Sequence, residues 1–103
     1  MPAQLTEISQ GNWQLTLSGP LTIYEVTDVR TTLKGLPPTP DQLSVHLGDV
    51  DEIDTAGLQL LLALHKWLGE QFHLTHHSEA VIDLIDLFQL APFFGDEIVL
   101  PQQ

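Results

Sequence analysis

Cysteine is absent from the 103 residues, which excludes a disulfide framework, thiolate zinc sites, iron–sulfur clusters and cysteine nucleophiles. Cations are almost absent as well. Arg30, Lys34 and Lys66 stand against fourteen Asp and Glu, for a formal net charge of -11. No Lys or Arg follows Lys66, whereas Glu79, Asp83, Asp86, Asp96 and Glu97 do. Nucleic-acid affinity comes mostly from Lys and Arg neutralising phosphates with counterion release, so no nucleic-acid partner is expected. An anionic membrane surface is disfavoured on the same ground. A long hydrophobic run is missing too: Gly57 to Leu68 is broken by Gln59, His65 and Lys66 and falls well short of the roughly 20 residues that span a bilayer. Met1 to Gln10 lacks the basic start and apolar run of a signal peptide. A cytoplasmic chain without direct membrane insertion is expected.

What is present is a composition for one packed domain over residues 1–103, with 43% hydrophobic residues and only 17% charged ones. Trp13, Leu15 and Leu17 alternate with Gln14, Thr16 and Ser18, which predicts a strand with one buried face, and Leu5 and Ile8 suggest a weaker partner strand. Gly19-Pro20 punctuates. Val26, Val29, Leu33 and Leu36, with Ile23 before them, recur at helical spacing and predict a helix from about Thr22 to Leu36. The run Leu36-Pro37-Pro38-Thr39-Pro40 is a connector. Leu43, Val45 and Leu47 predict a second strand, followed by an acidic turn, Asp49 to Asp54, and a leucine-rich helix to about Glu70. Phe72 to His76 reads as a strand. A helix starting at Ser78 carries Val81, Leu84, Ile85 and Phe88 on one face and stops at Pro92, and Ile98 to Leu100 suggest an edge strand. Alternating strands and helices predict an α/β layer with helices covering a mixed sheet.

The start of the leucine-rich helix is the most informative position. An Asp or Thr there is an N-cap, its side-chain oxygen accepting from a first-turn N–H. Gly57 inside that first turn costs helix stability relative to Ala by roughly 1 kcal/mol, and a missing Cβ lets another backbone or a phosphate approach closely. A hydroxyl at a helix start also faces free N–H groups and the positive dipole end, where an attached phosphate is stabilised. Along the helix, Gln59, Ala63, Lys66 and Glu70 form a narrow polar or small stripe, and Leu58, Leu60, Leu61, Leu62, Leu64, Trp67 and Leu68 cover the rest, as core or in part as a docking face.

Metal and catalytic sites are not expected. On a strand, His73 and His77 share one face while His76 takes the other, so no three-ligand set forms locally, and solvated strand-end histidines are the simpler reading. Asp49, Asp51, Glu52 and Asp54 lack the spacing of an EF-hand loop and read as a solvated turn. There is no Gly-rich phosphate loop, nucleophile elbow or metalloprotease helix motif. No catalytic residue and no cofactor is assigned.

The stretch Val50-Asp51-Glu52-Ile53-Asp54-Thr55-Ala56-Gly57-Leu58-Gln59-Leu60-Leu61 resembles the signature of STAS domains, the family that includes bacterial anti-sigma-factor antagonists. Leu17-Ser18-Gly19-Pro20-Leu21 resembles the family's early strand-turn, and Ala80 to Leu90 its later helix, so the likeness spans nearly the whole chain. It implies a small mixed β-sheet with helices packed mainly on one face. In phospho-switched members the hydroxyl residue after the signature Asp is phosphorylated, which corresponds to Thr55. The chain departs from the family pattern twice. Gly19-Pro20-Leu21-Thr22 replaces a Gly-Glu-Leu-Asp run, and His46 stands where Asp or Asn is common. Both changes are expected near the hydroxyl.

The resemblance implies a non-catalytic, phospho-regulated protein–protein interaction module. Its partner would be an anti-sigma-factor-type serine/threonine kinase or a chemotaxis or signalling protein. The run Asp54 to Leu62 is also similar to the STAS subunit of phospholipid-transport ABC systems, which implies an ABC-transporter ATPase as an alternative partner. The ending Leu90 to Asp96 resembles single-domain STAS proteins of chemotaxis or signalling modules. Nucleotide binding, proposed for some relatives, is a third reading, with only Arg30, Lys34 and Lys66 to meet a triphosphate. The expected contact patch is Asp49, Asp51, Glu52, Asp54, Thr55, Ala56 and Gly57, continued along the helix by Gln59, Ala63 and Lys66.

Overall fold

The alternation of Trp13, Leu15 and Leu17 with polar residues forms β2, Asn12–Leu21, in the computed structural model, which describes residues 3–89. Strand β1, Ala3–Ser9, pairs with it antiparallel as a hairpin. On its other side β3, Gln42–Ile53, runs parallel, and β4, Phe72–Thr75, runs parallel to β3, giving the mixed order β1-β2-β3-β4. Each parallel crossover carries a helix: α1, Ile23–Leu33, joins β2 to β3 and α2, Thr55–Leu68, joins β3 to β4. Helix α3, Glu79–Leu87, follows β4 and packs on β3.

One face of the sheet and the helices share a single core. Leu15, Leu17, Leu43, Val45, Leu47 and Leu74 are buried there with Val29, Leu58, Leu61, Val81 and Ile85. The alternate strand positions Gln14, Thr16, Ser44, His46, His73 and Thr75 are partly exposed, as strand periodicity requires for the opposite face. This is the small mixed sheet with helices mainly on one face.

Several boundaries differ from those read off the sequence. Gly19-Pro20 does not end β2. The strand continues to Leu21 through a register shift between Gly19 and Pro20, with Gly19 at φ 73, a backbone region that glycine enters without strain. The described pairing of β1 stops opposite Leu17, so among the described residues Pro20 has a strand partner only in β3, and a missing N–H is tolerated at such an edge. Helix α1 stops at Leu33. Lys34, Gly35 and Leu36 then close tight i→i+3 turns that still bury Leu36.

The acidic segment is strand, not turn. Val50, Glu52 and Ile53 pair with Gly19, Pro20 and Leu21. Two register shifts in the β2–β3 ladder change the buried spacing from two to three, so Leu47 and Val50 are buried while Gly48, Asp49, Asp51 and Glu52 are exposed. Helix α2 ends at Leu68, Gly69–Gln71 form a single 3-10 turn, and Trp67 is 51% exposed instead of covering the core. Strand β4 stops at Thr75 and His76 takes φ 53, so the alternation does not reach His77, which is buried and not solvated. In α3, Ile82 is buried and Phe88 lies past the helix end, half-exposed. Pro92 and the strand expected at Ile98 to Leu100 lie outside the described residues. No helix among the described residues is long and apolar enough to cross a membrane.

Candidate functional site

Strands β2 and β3 end side by side, with Leu21 paired to Ile53. Because the strands are parallel, the helices they feed begin together at one edge of the sheet. Thr22 caps α1 through a reciprocal arrangement. Its hydroxyl oxygen accepts from the Tyr24 N–H at 3.3 Å, and the Glu25 carboxylate accepts from the Thr22 backbone N–H at 3.0 Å. This capping box satisfies the N-cap N–H and a first-turn N–H at once.

Asp54 caps α2 and also reaches α1. Its Oδ1 accepts from the Gly57 N–H at 3.0 Å and its Oδ2 from the Ile23 N–H at 3.0 Å. One carboxylate therefore binds the N-termini of both helices, with Ile23 lying 31 residues before Asp54 in sequence. The Gly57 N–H holds the Asp54 carboxyl below its ordinary value, opposed by desolvation and helped by the Ile23 N–H and further backbone donors, because each of these bonds favours the charged form. Asp54 is thus an anion committed to the backbone.

Gly57 is needed where it stands. A Cβ at this position would lie 2.2 Å from the Leu21 carbonyl oxygen and 3.0 Å from carbons of Ile53 and Leu21. The close approach that glycine permits is that of the end of β2, a backbone and not a phosphate. The first turn of α2 is consequently pressed onto the strand pair and positioned by it.

Thr55, the first residue of α2, is exposed, and Ala56 is partly so. Its hydroxyl is presented at the positive end of a 14-residue helix. The exposed positions Gln59, Ala63 and Lys66 follow on α2, and Trp67 extends that stripe. Asp49, Asp51 and Glu52 are exposed on the last part of β3. Leu58 and Leu61 are core, and Leu62 is partly buried against it.

Of the two departures from the family pattern, only one is at this edge. Thr22 lies beside Asp54 through the Ile23 N–H. His46 is eight residues before Asp54 on β3, paired in register with Thr16 and Thr75, and its ring stacks on His76 at 4.2 Å. Among the described residues no three His, Asp or Glu converge as a metal-ligand set. Arg30 and Lys34 lie at the end of α1 and Lys66 in the last turn of α2, roughly 10–16 Å along the helices from the shared edge at 1.5 Å per residue. They do not gather as a triphosphate site there.

Two residues joined to this junction through Asp54 were not legible as part of it. Ile23 and Tyr24 are 62% and 85% exposed in the first turn of α1, next to Asp54 through the Ile23 backbone. The helical period marks Tyr24 as lying off the Val26–Val29–Leu33 stripe. It does not reveal that Ile23, on that stripe, is exposed.

The family model described as the Mlab-type STAS domain matches residues 5–99. The chain belongs to the STAS family. This STAS domain is similar in fold to the unphosphorylated anti-sigma factor antagonist SpoIIAA, with a TM-score of 0.73 and 17% identity over 93% of this chain and 88% of that one. It is similar to an anti-sigma factor antagonist from Mycobacterium paratuberculosis, with a TM-score of 0.71 and 20% identity over 95% and 86% of the two chains. For the Bacillus cell fate determinant SpoIIAA in its phosphorylated form the TM-score is 0.68, with 16% identity over 93% and 91%. Among curated protein sequences none matches significantly.

Proposed function

We propose that this STAS domain is a non-catalytic protein-interaction module of the cytoplasm, whose partner-binding face is the β3–α2 junction and whose switch is phosphorylation of Thr55. The observation that carries this reading is the exposed Thr55 on a junction that Asp54 and Gly57 fix to the sheet. The fold shared with anti-sigma factor antagonists supports it, and an anti-sigma-factor-type serine/threonine kinase or another signalling protein is the partner it implies.

A phosphate on Thr55 adds about -1.5 to -2 charge. The α2 N-terminus favours that charge, while Asp51 and Glu52 oppose it. Asp54 is already engaged by two N–H donors, so modification changes the surface that a partner meets and leaves the fold standing. Incubation with the partner kinase followed by mass-spectrometric mapping tests this. Phosphate on Thr55 is expected, and phosphate only on other Ser or Thr positions would refute the switch.

A second reading is favoured by the Mlab-type family match. In it the domain is a constitutive subunit that stabilises the ATPase of a phospholipid-transport ABC system, with Thr55 a contact residue and no covalent switch. Thr55→Glu and Thr55→Ala separate the two. A switch gives opposite effects on partner binding, whereas a contact residue gives weaker binding in both.

A further inference from the structure

We propose that Ile23 and Tyr24 are the apolar anchor of the partner contact, and that the partner is a different protein offering an apolar pocket rimmed by Lys and Arg. This rests on the reading of the β3–α2 junction as a partner-binding face and adds to it a second element, α1.

The two side chains are adjacent in the first turn of α1 and are 62% and 85% exposed. Single exposed apolar residues are ordinary, but a contiguous pair beside a charged rim has the layout of an interface centre. Their backbone is held from two directions. Thr22 and Glu25 form the capping box, and the Ile23 N–H donates to Asp54 Oδ2 at 3.0 Å. The pair therefore sits in fixed register with Thr55, one residue beyond Asp54, and a partner need not order this backbone on binding. Tyrosine is also among the side chains most often found at interface hot spots.

The surrounding charge selects the occupant. Asp51 and Glu52 are exposed on the β3 side of the pair and Asp28 on α1, within a chain of net charge -11. A second copy would bring like charges face to face, and an anionic membrane or nucleic acid would be repelled. A basic protein surface satisfies both the apolar pair and its acidic rim, and its association slows as salt rises.

The test begins with p-benzoylphenylalanine at position 51 or 59 of the full chain, crosslinked in its native cells, to identify the protein touching the β3–α2 junction. Binding of that purified partner is then measured for the unmodified chain and for Tyr24→Ala and Thr27→Ala, at low and high salt, with circular dichroism to verify folding. Tyr24→Ala is expected to weaken binding roughly tenfold or more, with Thr27→Ala within about twofold and affinity falling with salt. If the partner crosslinks at the junction but Tyr24→Ala binds as the unmodified chain does, the anchor is wrong and the junction reading stands. A crosslink to a second copy of the chain overturns the choice of partner. Absence of any adduct from either position overturns both.

Discussion

Replacing Gly57 by alanine separates local helix propensity from tertiary contact by the sign of the effect. In a helix interior alanine is favoured over glycine by about 1 kcal/mol, so propensity alone makes Gly57→Ala stabilising. The structure reverses this. The new methyl carbon would stand 2.2 Å from the Leu21 carbonyl oxygen, where side-chain Cβ atoms do not come within 3.0 Å. The first turn of α2 must therefore withdraw by about 0.8 Å from a backbone atom that the β2–β3 pairing holds. Overpacking of this kind costs roughly 1–3 kcal/mol. The withdrawal also strains the Asp54 cap, itself worth about 0.5–2 kcal/mol. After the propensity gain is subtracted, a net destabilisation of about 2 kcal/mol is expected, which for a domain of this size lowers the melting temperature by roughly 8–16 °C. Ala63→Gly, at an exposed site on the same helix, calibrates the propensity term and should cost about 1 kcal/mol. Urea and thermal unfolding followed by circular dichroism measure both variants. A Gly57→Ala protein as stable as the unmodified chain, or more so, would refute the contact and with it the seating of α2 on β2.

Asp54→Ala removes the acceptor shared by Ile23 and Gly57 and should cost about 2 kcal/mol at neutral pH. Because the folded-state pKa of Asp54 lies below its ordinary 3.8, the carboxylate's contribution is complete above that value and is lost as pH falls through the lowered one. The stability gap between Asp54→Ala and the unmodified chain, read from urea melts at pH 7 and pH 3, should therefore narrow at the lower pH, and a constant gap would contradict the ionised cap. Leu61→Ala, at a fully buried position of α2, should lose roughly 2–5 kcal/mol in the same assay. Charge reversal at the exposed Asp51 and Glu52 should leave the melting temperature nearly unchanged but slow association with the partner in stopped-flow mixing at low salt. Unfolding by that reversal, or an unaltered rate, would place the binding face elsewhere.

Much of the architecture is written locally. The alternation in Trp13–Leu17 and Leu43–Leu47, and the i, i+3, i+4 spacing in α1, α2 and α3, follow from strand and helix periods that each segment carries by itself. Composition supplies a packed domain with an acidic balance, and the alternation of strand and helix patterns supplies the α/β class. The Asp-Thr-x-Gly-Leu run marks a helix start, where the proposed site lies, because an N-cap and a helix-opening glycine are recognisable from a few neighbouring residues.

The remaining features depend on partners distant in sequence. The continuation of β3 through Asp49, Asp51 and Glu52 is set by its ladder with Ser18–Leu21, whose register shifts turn a buried spacing of two into three. Trp67 resembles a core residue in a leucine-rich helix, and only the placement of the sheet decides that its side of α2 faces outward. The second bond of Asp54, to Ile23, exists because two parallel strands end together, which no window around either residue reveals. Sequence by itself determined the order of the strands and helices among the described residues and the position of the hydroxyl at a helix start. Tertiary structure decided which backbone Gly57 meets, which helix ends Asp54 joins and which apolar residues stay in water. These are relations between chain segments brought together only by the parallel crossover, and local periodicity holds no information about them.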